Sequence, residues 1–248
     1  MKLDIISHCY CPPGVSQYAQ MLRWQYASLV DHPGPFESID LTVCFSDQDE
    51  QTVGAIEDIL KVRSDRVRLA QWNMIPERLF RRSIGRNDCA LMTQADVVWF
   101  VDVDYFVGAG FLDAVAKTLN LKSTLNFPSH INVCNNHVTG DEMLSSGEID
   151  SKLFYEAKIR RAIGGVQFIG GDIARQDGYN KGSKWMRPVS VEPGFRQCKC
   201  DVAWRRSMVR RYGPAERFLA KGLHRMRHSK DGRDFNASGV KGLGKVNW

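Results

Sequence analysis

Short apolar runs and stretches with apolar residues three and four positions apart take turns along the first ~120 residues, the pattern of strands alternating with amphipathic helices. Residues 3–7 read as a first strand. Cys11-Pro12-Pro13-Gly14 forms a turn, and Ser16 stands where it can cap a helix to about Val30, which His32-Pro33-Gly34-Pro35 breaks. Residues 39–45 alternate toward a second strand ending at Ser46-Asp47-Gln48-Asp49. Residues 52–62 have helical spacing, 67–70 make a short strand, and Pro76 to about Ala95 is mostly helical. The apolar run 97–101 is a further strand, and Gly108-Ala109-Gly110 opens a helix over 111–119. This alternation predicts an α/β protein with a Rossmann-like, mostly parallel central sheet flanked by helices. Such sheets bind ligands beyond the carboxyl ends of their strands. Ser7-His8, Ser46-Asp47 and the pair Asp102/Asp104 all fall at such ends.

The second half is less regular. Residues 123–127 and 165–169 read as strands, and 171–176 as a short helix closing at Asp177-Gly178-Tyr179-Asn180. Residues 201–212 are helical, with Val202, Met208 and Val209 on the expected core side. Residues 232–248 are glycine-rich and expected to form a flexible tail.

The chemistry is concentrated at Val97-Val98-Trp99-Phe100-Val101-Asp102-Val103-Asp104. If the strand continues to Asp104, both carboxylates point to one side. Two like charges at the end of an apolar strand call for a hard cation and, with it, a phosphate-bearing ligand; a polar strand end facing water is the plainer alternative. Apolar content of 43% and charged content of 25% are those of an ordinary globular chain. The net charge of +6 is unevenly spread. Arg205, Arg206, Arg210, Arg211, Arg217, Lys221, Arg225, Arg227, Lys230 and Arg233 face only Glu216 and Asp231, which implies an anionic partner for the C-terminal part. The first residues are too short an apolar run for a signal peptide, and no stretch reaches the length of a membrane span. With an odd count of seven cysteines, the expectation is reduced thiols and a cytoplasmic setting. Cys9/Cys11 and Cys198/Cys200, with His8 nearby, have closer spacing than zinc sites use.

Four segments, in order, resemble the GT-A fold glycosyltransferases. Arg82-Ser83-Ile84-Gly85-Arg86-Asn87 before the D-x-D strand is similar to that superfamily's arginine/asparagine helix. Gly164-Gly165-Val166-Gln167-Phe168, leading to Asp177-Gly178-Tyr179-Asn180, resembles its double-glycine strand and following turn. Asp201-Val202-Ala203-Trp204-Arg205-Arg206 resembles the acidic start of the next helix. Arg225-Met226-Arg227-His228-Ser229-Lys230-Asp231 resembles the late histidine segment of the galactosyltransferase-like members.

The resemblance implies a single GT-A-like domain over 1–248, with a nucleotide-binding half (1–120) and a donor-sugar and acceptor half (121–231). It implies a metal-dependent glycosyltransferase of hexosyltransferase type. The sugar would pass from a nucleoside diphosphate, UDP favoured over GDP, to a hydroxyl on a glycan or lipid-linked sugar. Asp102, Asp104 and His228 would hold Mn2+ or Mg2+, a mixed oxygen and imidazole set that suits manganese. Asp47, Arg82, Arg86, Asp102, Gly164, Gly165, Arg225, Arg227 and Lys230 would bind the donor. Of Arg82 and Arg86, which share a helix face, one would reach the diphosphate and the other make a surface ion pair. Trp185 and Tyr179 would line the sugar and acceptor sites. The family's paired acids before the late helix are replaced by Cys198-Lys199-Cys200, so the base falls to Asp201, with Glu192 and Asp172 as substitutes, and the stereochemical outcome stays open. A nucleotidyltransferase is the second reading. A nucleic-acid-binding protein using the basic region is the third, disfavoured because Trp204, Tyr212 and Phe218 are expected to pack inward. Contact with a membrane would be peripheral at most.

Overall fold

The computed structural model describes residues 1–12, 14–121, 125–189 and 199–229. The first half winds as β1 (Lys2–His8), α1 (Gln17–Asp31), β2 (Ser38–Phe45), α2 (Glu50–Leu60), β3 (Val67–Asn73), α3 (Pro76–Leu79), α4 (Arg82–Met92) and β4 (Val97–Phe100). β5 (Tyr105–Val107), α5 (Phe111–Thr118), β6 (Asn126–Pro128), β7 (His130–Cys134), α6 (His137–Ser146) and β8 (Phe154–Lys158) follow. The rest comprises β9 (Gln167–Gly170), α7 (Gly171–Asp177), α8 (Cys200–Tyr212), β10 (Glu216–Phe218) and β11 (Leu223–Arg225).

Seven strands form the central sheet in the order β10-β6-β9-β4-β1-β2-β3. β4, β1, β2 and β3 run parallel, and β9 enters antiparallel to β4. Val97, Val98, Trp99 and Phe100 are all buried, as a strand covered on both faces requires. The chain leaves β1 toward β2 on one side, and later places β4 on β1's other side. In sheets of this kind such a reversal marks where ligands bind, beyond the carboxyl ends of the two strands, here β1 and β4. A second sheet, β5-β11-β7-β8, packs beside it.

Local chemistry explains where several elements begin and end. α2 starts at Asp49, whose carboxylate accepts from the Thr52 backbone N–H at 3.1 Å and from Thr52 Oγ1 at 2.6 Å. The same carboxylate accepts from the Cys11 N–H at 2.6 Å, so this buried acid also fixes the loop after β1. Ser16 stands at the start of α1 but makes no side-chain cap bond. The single helix expected from Pro76 to Ala95 breaks at Phe80-Arg81: Phe80 packs edge-on to Tyr10 at 4.6 Å, and Arg81 Nε reaches the Arg187 carbonyl. On α8 the buried residues are Cys200, Trp204 and Met208, while Val209 is exposed and Val202 half-buried, a rotation of the expected core face. The expected tail over 232–248 lies outside the described residues.

Candidate active site

β4 ends at Phe100, so the acid pair lies on the turn that follows it. The carboxylates are not presented as neighbours on one extended strand; each is held from a different direction. Arg82 Nη1 donates a very short bond to Asp102 Oδ1, and Arg86 Nη2 donates to the same oxygen at 3.0 Å. Their spacing does put both arginines on one face of α4, but neither makes a surface ion pair. Arg86 has no exposure; it also donates to the Val101 carbonyl at 3.0 Å and to Tyr179 Oη at 3.2 Å. Burial alone would push the Asp102 carboxyl up; Arg82, Arg86 and Arg225 together outweigh it and hold the group well below the usual carboxylate range. Asp104 is met from the other side, where Arg225 Nε donates to Oδ2 at 3.0 Å. β11 brings Arg225 there by pairing antiparallel with β5, and the Met226 N–H donates to the Asp104 carbonyl at 2.8 Å. Gln25 of α1 ties down the turn itself, donating to the carbonyls of Asp102 at 3.2 Å and Tyr105 at 2.9 Å.

The double glycine sits under this assembly. A Cβ on Gly165 would lie 2.2 Å from the Tyr105 ring, and the Arg225 guanidinium lies 5.4 Å from that ring's centre. At Gly164 the nearest atom to such a Cβ would be Asp201 Oδ2, at 3.2 Å. Asp201 stands in the first turn of α8, half-buried. Asn180, at a φ of 59°, fixes this helix to α4 by donating to the Cys200 carbonyl at 2.8 Å and to Ser83 Oγ at 3.3 Å. An unbroken chain of contacts thus runs from Asp104 through Arg225, Tyr105 and the glycines to Asp201.

Other expected site residues sit elsewhere. Asp47 is exposed at the end of β2, where its carboxylate accepts from Asn73 Nδ2 at 2.9 Å. Arg227 turns away from the acids, donating to the Asn135 carbonyl at 2.8 Å and to Tyr155 Oη at 2.7 Å. His228 is buried edge-on to Tyr18 at 5.2 Å, its Nδ1 at 2.5 Å from the Ser229 carbonyl. Tyr179 does not line an open site: it is fully buried, stacked on Trp204 at 4.5 Å, with its hydroxyl donating to Gln167 at 3.0 Å. The Trp185 ring is flanked by Arg81 and Lys184 at 5.7 and 5.2 Å. Asp172, exposed on α7, pairs with Arg175. Glu192, Cys198 and Lys230 lie outside the described residues.

Two placements test the fit of a cation. Asp104 Oδ1 is buried and has no hydrogen-bond partner among the described residues, the condition a positive ligand would relieve. Among those residues, however, no three His, Cys, Asp or Glu side chains gather closely enough to hold an ion, so Asp102, Asp104 and His228 do not yet form one set. Asp104 fits a cation; Asp102 is committed to arginine.

No protein-family model and no curated protein matches the sequence. Among solved structures the chain is similar to S. aureus TarS 1–349, at 13% identity and a TM-score of 0.53, over 91% of this chain and 60% of that one. It is also similar to the mannosyltransferase PcManGT from Pyrobaculum calidifontis, solved with GDP-Man and Mn2+, at 12% identity and a TM-score of 0.45, over 71% of this chain and 47% of that one. The chain therefore spans less than two thirds of either. With the sheet order above, the likeness to TarS gives this chain a GT-A-type glycosyltransferase fold.

Proposed function

We propose that this protein is a metal-dependent glycosyltransferase of hexosyl type, moving a sugar from a nucleoside diphosphate, UDP before GDP, to a hydroxyl of a glycan or lipid-linked sugar. It would work in the cytoplasm, at most peripherally on a membrane. The observation that carries this reading is the acid pair beyond the carboxyl end of β4, clasped by Arg82, Arg86 and Arg225, while one buried oxygen of Asp104 has no partner among the described residues.

Asp104 would offer the cation the oxygen that has no partner among the described residues, with Asp102 held by its arginines on the same turn and His228 apart from the pair; the cation, when bound, would supply a Lewis acid for the charge that develops on the diphosphate. Arg82 and Arg225 are part-exposed and border the same turn, so they can turn toward the phosphates with charge-assisted hydrogen bonds. Lys230 would add a further positive charge for the phosphates, while Arg227 stays with Asn135 and Tyr155, and Asp47 would accept from the base or ribose. Arg86 acts from beneath, positioning Asp102 without reaching the donor. Gly164 and Gly165 would meet the sugar through their backbone, since the Tyr105 ring fills the space a side chain would take at Gly165 and Asp201 borders that at Gly164. Asp201 takes the proton as the acceptor oxygen bonds to the anomeric carbon; the bond from that carbon to the phosphate oxygen breaks, and its electron pair stays on the leaving diphosphate. Glu192 is the other acid that could serve as base.

A thermal-shift panel of nucleotides and nucleotide sugars, each with and without manganese, tests this reading. At about 100 times Kd, UDP or a UDP-sugar with manganese should raise Tm by roughly 5–10 °C. Asp104→Ala should abolish the shift. A folded protein that no nucleotide–metal pair stabilises overturns the proposal.

A further inference from the structure

Side chains two and four apart on a strand share a face, and strand partners in register share it too. Asp4 and His8 of β1 therefore stand on one side of the central sheet with Asp40, Thr42 and Cys44 of β2. α4 covers the Cys44 end of that face. A Cβ on its Gly85 would lie 2.5 Å from His8 Nε2 and 2.7 Å from Cys44 Sγ, so the bare glycine lets the helix rest on this pair. Four residues further along α4, Cys89 Sγ lies 3.8 Å from Cys44 Sγ. Toward Asp4 an open-sided cavity separates helix from sheet, bordered by Cys89 and Met92 of α4 and by Asp4, Thr42 and Ala70 of the strands. Cys89 is thus both a wall of the cavity and the neighbour of Cys44.

Buried thiols are inert when each stands alone and keeps its proton. Here burial opposes a charge on Cys44, but the bond from Cys89 and the charges of His8 and Arg86 outweigh it and hold Cys44 below the ordinary thiol range. The sulfurs already touch, and the ~2.0 Å of a disulfide asks them to approach by about 1.8 Å more. Cys89 is only 4% exposed, so an oxidant that reaches it has to be small; a peroxide meets that condition and a bulky disulfide does not. We propose that Cys44 and Cys89 form a reversible disulfide when a small peroxide enters this cavity, strapping the end of β2 to the helix whose Arg86 positions Asp102. The proposal goes beyond the glycosyl-transfer reading and does not depend on it. With hydrogen peroxide, the Cys89 sulfur attacks one oxygen as its proton passes to the Cys44 thiolate. The O–O bond breaks, and the departing hydroxide takes that proton and leaves as water. Cys44, again a thiolate, attacks the sulfur of the Cys89 sulfenic acid; the S–O bond breaks, and the second hydroxide leaves as water with a proton from solvent. Each sulfur gives up one electron and each peroxide oxygen gains one.

The test exposes the folded full chain to hydrogen peroxide, counts thiols after quenching and denaturation, and maps the linked peptides. The seven thiols should fall to five, with Cys44 joined to Cys89, and dithiothreitol should restore both. Cys89→Ser should abolish this loss of two thiols, and glutathione disulfide should react far more slowly than peroxide. Ala70→Phe, which fills the cavity, should slow the oxidation at least about tenfold, with Ala70→Leu as the milder plug should the larger one unfold the protein. Retention of all seven thiols by the folded, unaltered protein overturns the inference. So does a link from Cys9 to Cys11 in place of Cys44 to Cys89, faster reaction with glutathione disulfide, or a folded plugged variant that oxidises as fast as the unaltered protein.

Discussion

Asp102 and Asp104 are separated by one valine yet depend on partners 16 to 121 residues away: Arg82 and Arg86 for the first, Arg225 for the second. Their sequence pattern shows that two carboxylates end an apolar run, and the structure bears this out. It does not show that the strand stops at Phe100, because the choice between extension and turn is settled by Gln25 and Met226 bonding to the backbone of that turn. Asp49 was likewise illegible. It reads as one more polar loop residue, and its weight comes from accepting bonds both from the loop after β1 and from the first turn of α2, while the more conspicuous Asp47 faces solvent. A third acid, Asp4, is buried at the far end of β1 beside a cavity of about 330 Å3 lined with Lys2, Thr42, Arg68 and Trp72. Burial raises its carboxyl to about 6, against the lowering effect of the Thr42 and Thr93 hydroxyls. In the unfolded chain this group ionises near pH 4, so between about pH 4 and 6 the folded state binds more protons and stability falls as pH rises. Asp4→Asn keeps an acceptor for Thr42 and removes the buried charge. It should gain about 3 kcal/mol over the unaltered protein at pH 8 and little at pH 4, read from urea unfolding at both values.

At the scale of elements, the parallel strands and their helices were legible because each is long enough for its apolar spacing to repeat. β5, β6, β10 and β11 have three residues apiece, too few for alternation to register, and their pairing comes from partners remote in sequence. The double glycine was visible as a motif, but the ring that makes it necessary was not. Gly165→Ala would drive a methyl into Tyr105, the residue under Arg225, in a site where backbone and ring are both fixed. It should cost roughly 1–3 kcal/mol in urea unfolding and weaken the nucleotide-induced shift in Tm, whereas Gly54→Ala, which meets nothing within 4 Å, should do neither. The same logic separates Tyr179 from the acceptor site. An aromatic near a Gly-Tyr-Asn turn suggests a sugar platform, but its ring is already stacked on Trp204 and its hydroxyl is satisfied inside the core.

The molecule as a whole joins a sequence-local half to a half that closes back on it. β1 to β4 are built by successive crossovers, and β11 then returns from the end of the described chain to sit between β5 and β7. Removal of residues 221–248 would take the inner strand from the second sheet and the arginine from Asp104. Differential scanning should show a lower Tm, and the nucleotide-induced shift should vanish, even though β1–β4 remain in the chain. The Asp104–Arg225 pair has a further consequence in time. It bridges 121 residues, and a chain emerging from the ribosome folds its N-terminal part first. The α/β half can therefore form with its acids exposed, but the surroundings of Asp104 are completed only after residue 225 has cleared the exit tunnel, so binding competence trails the folding of that half.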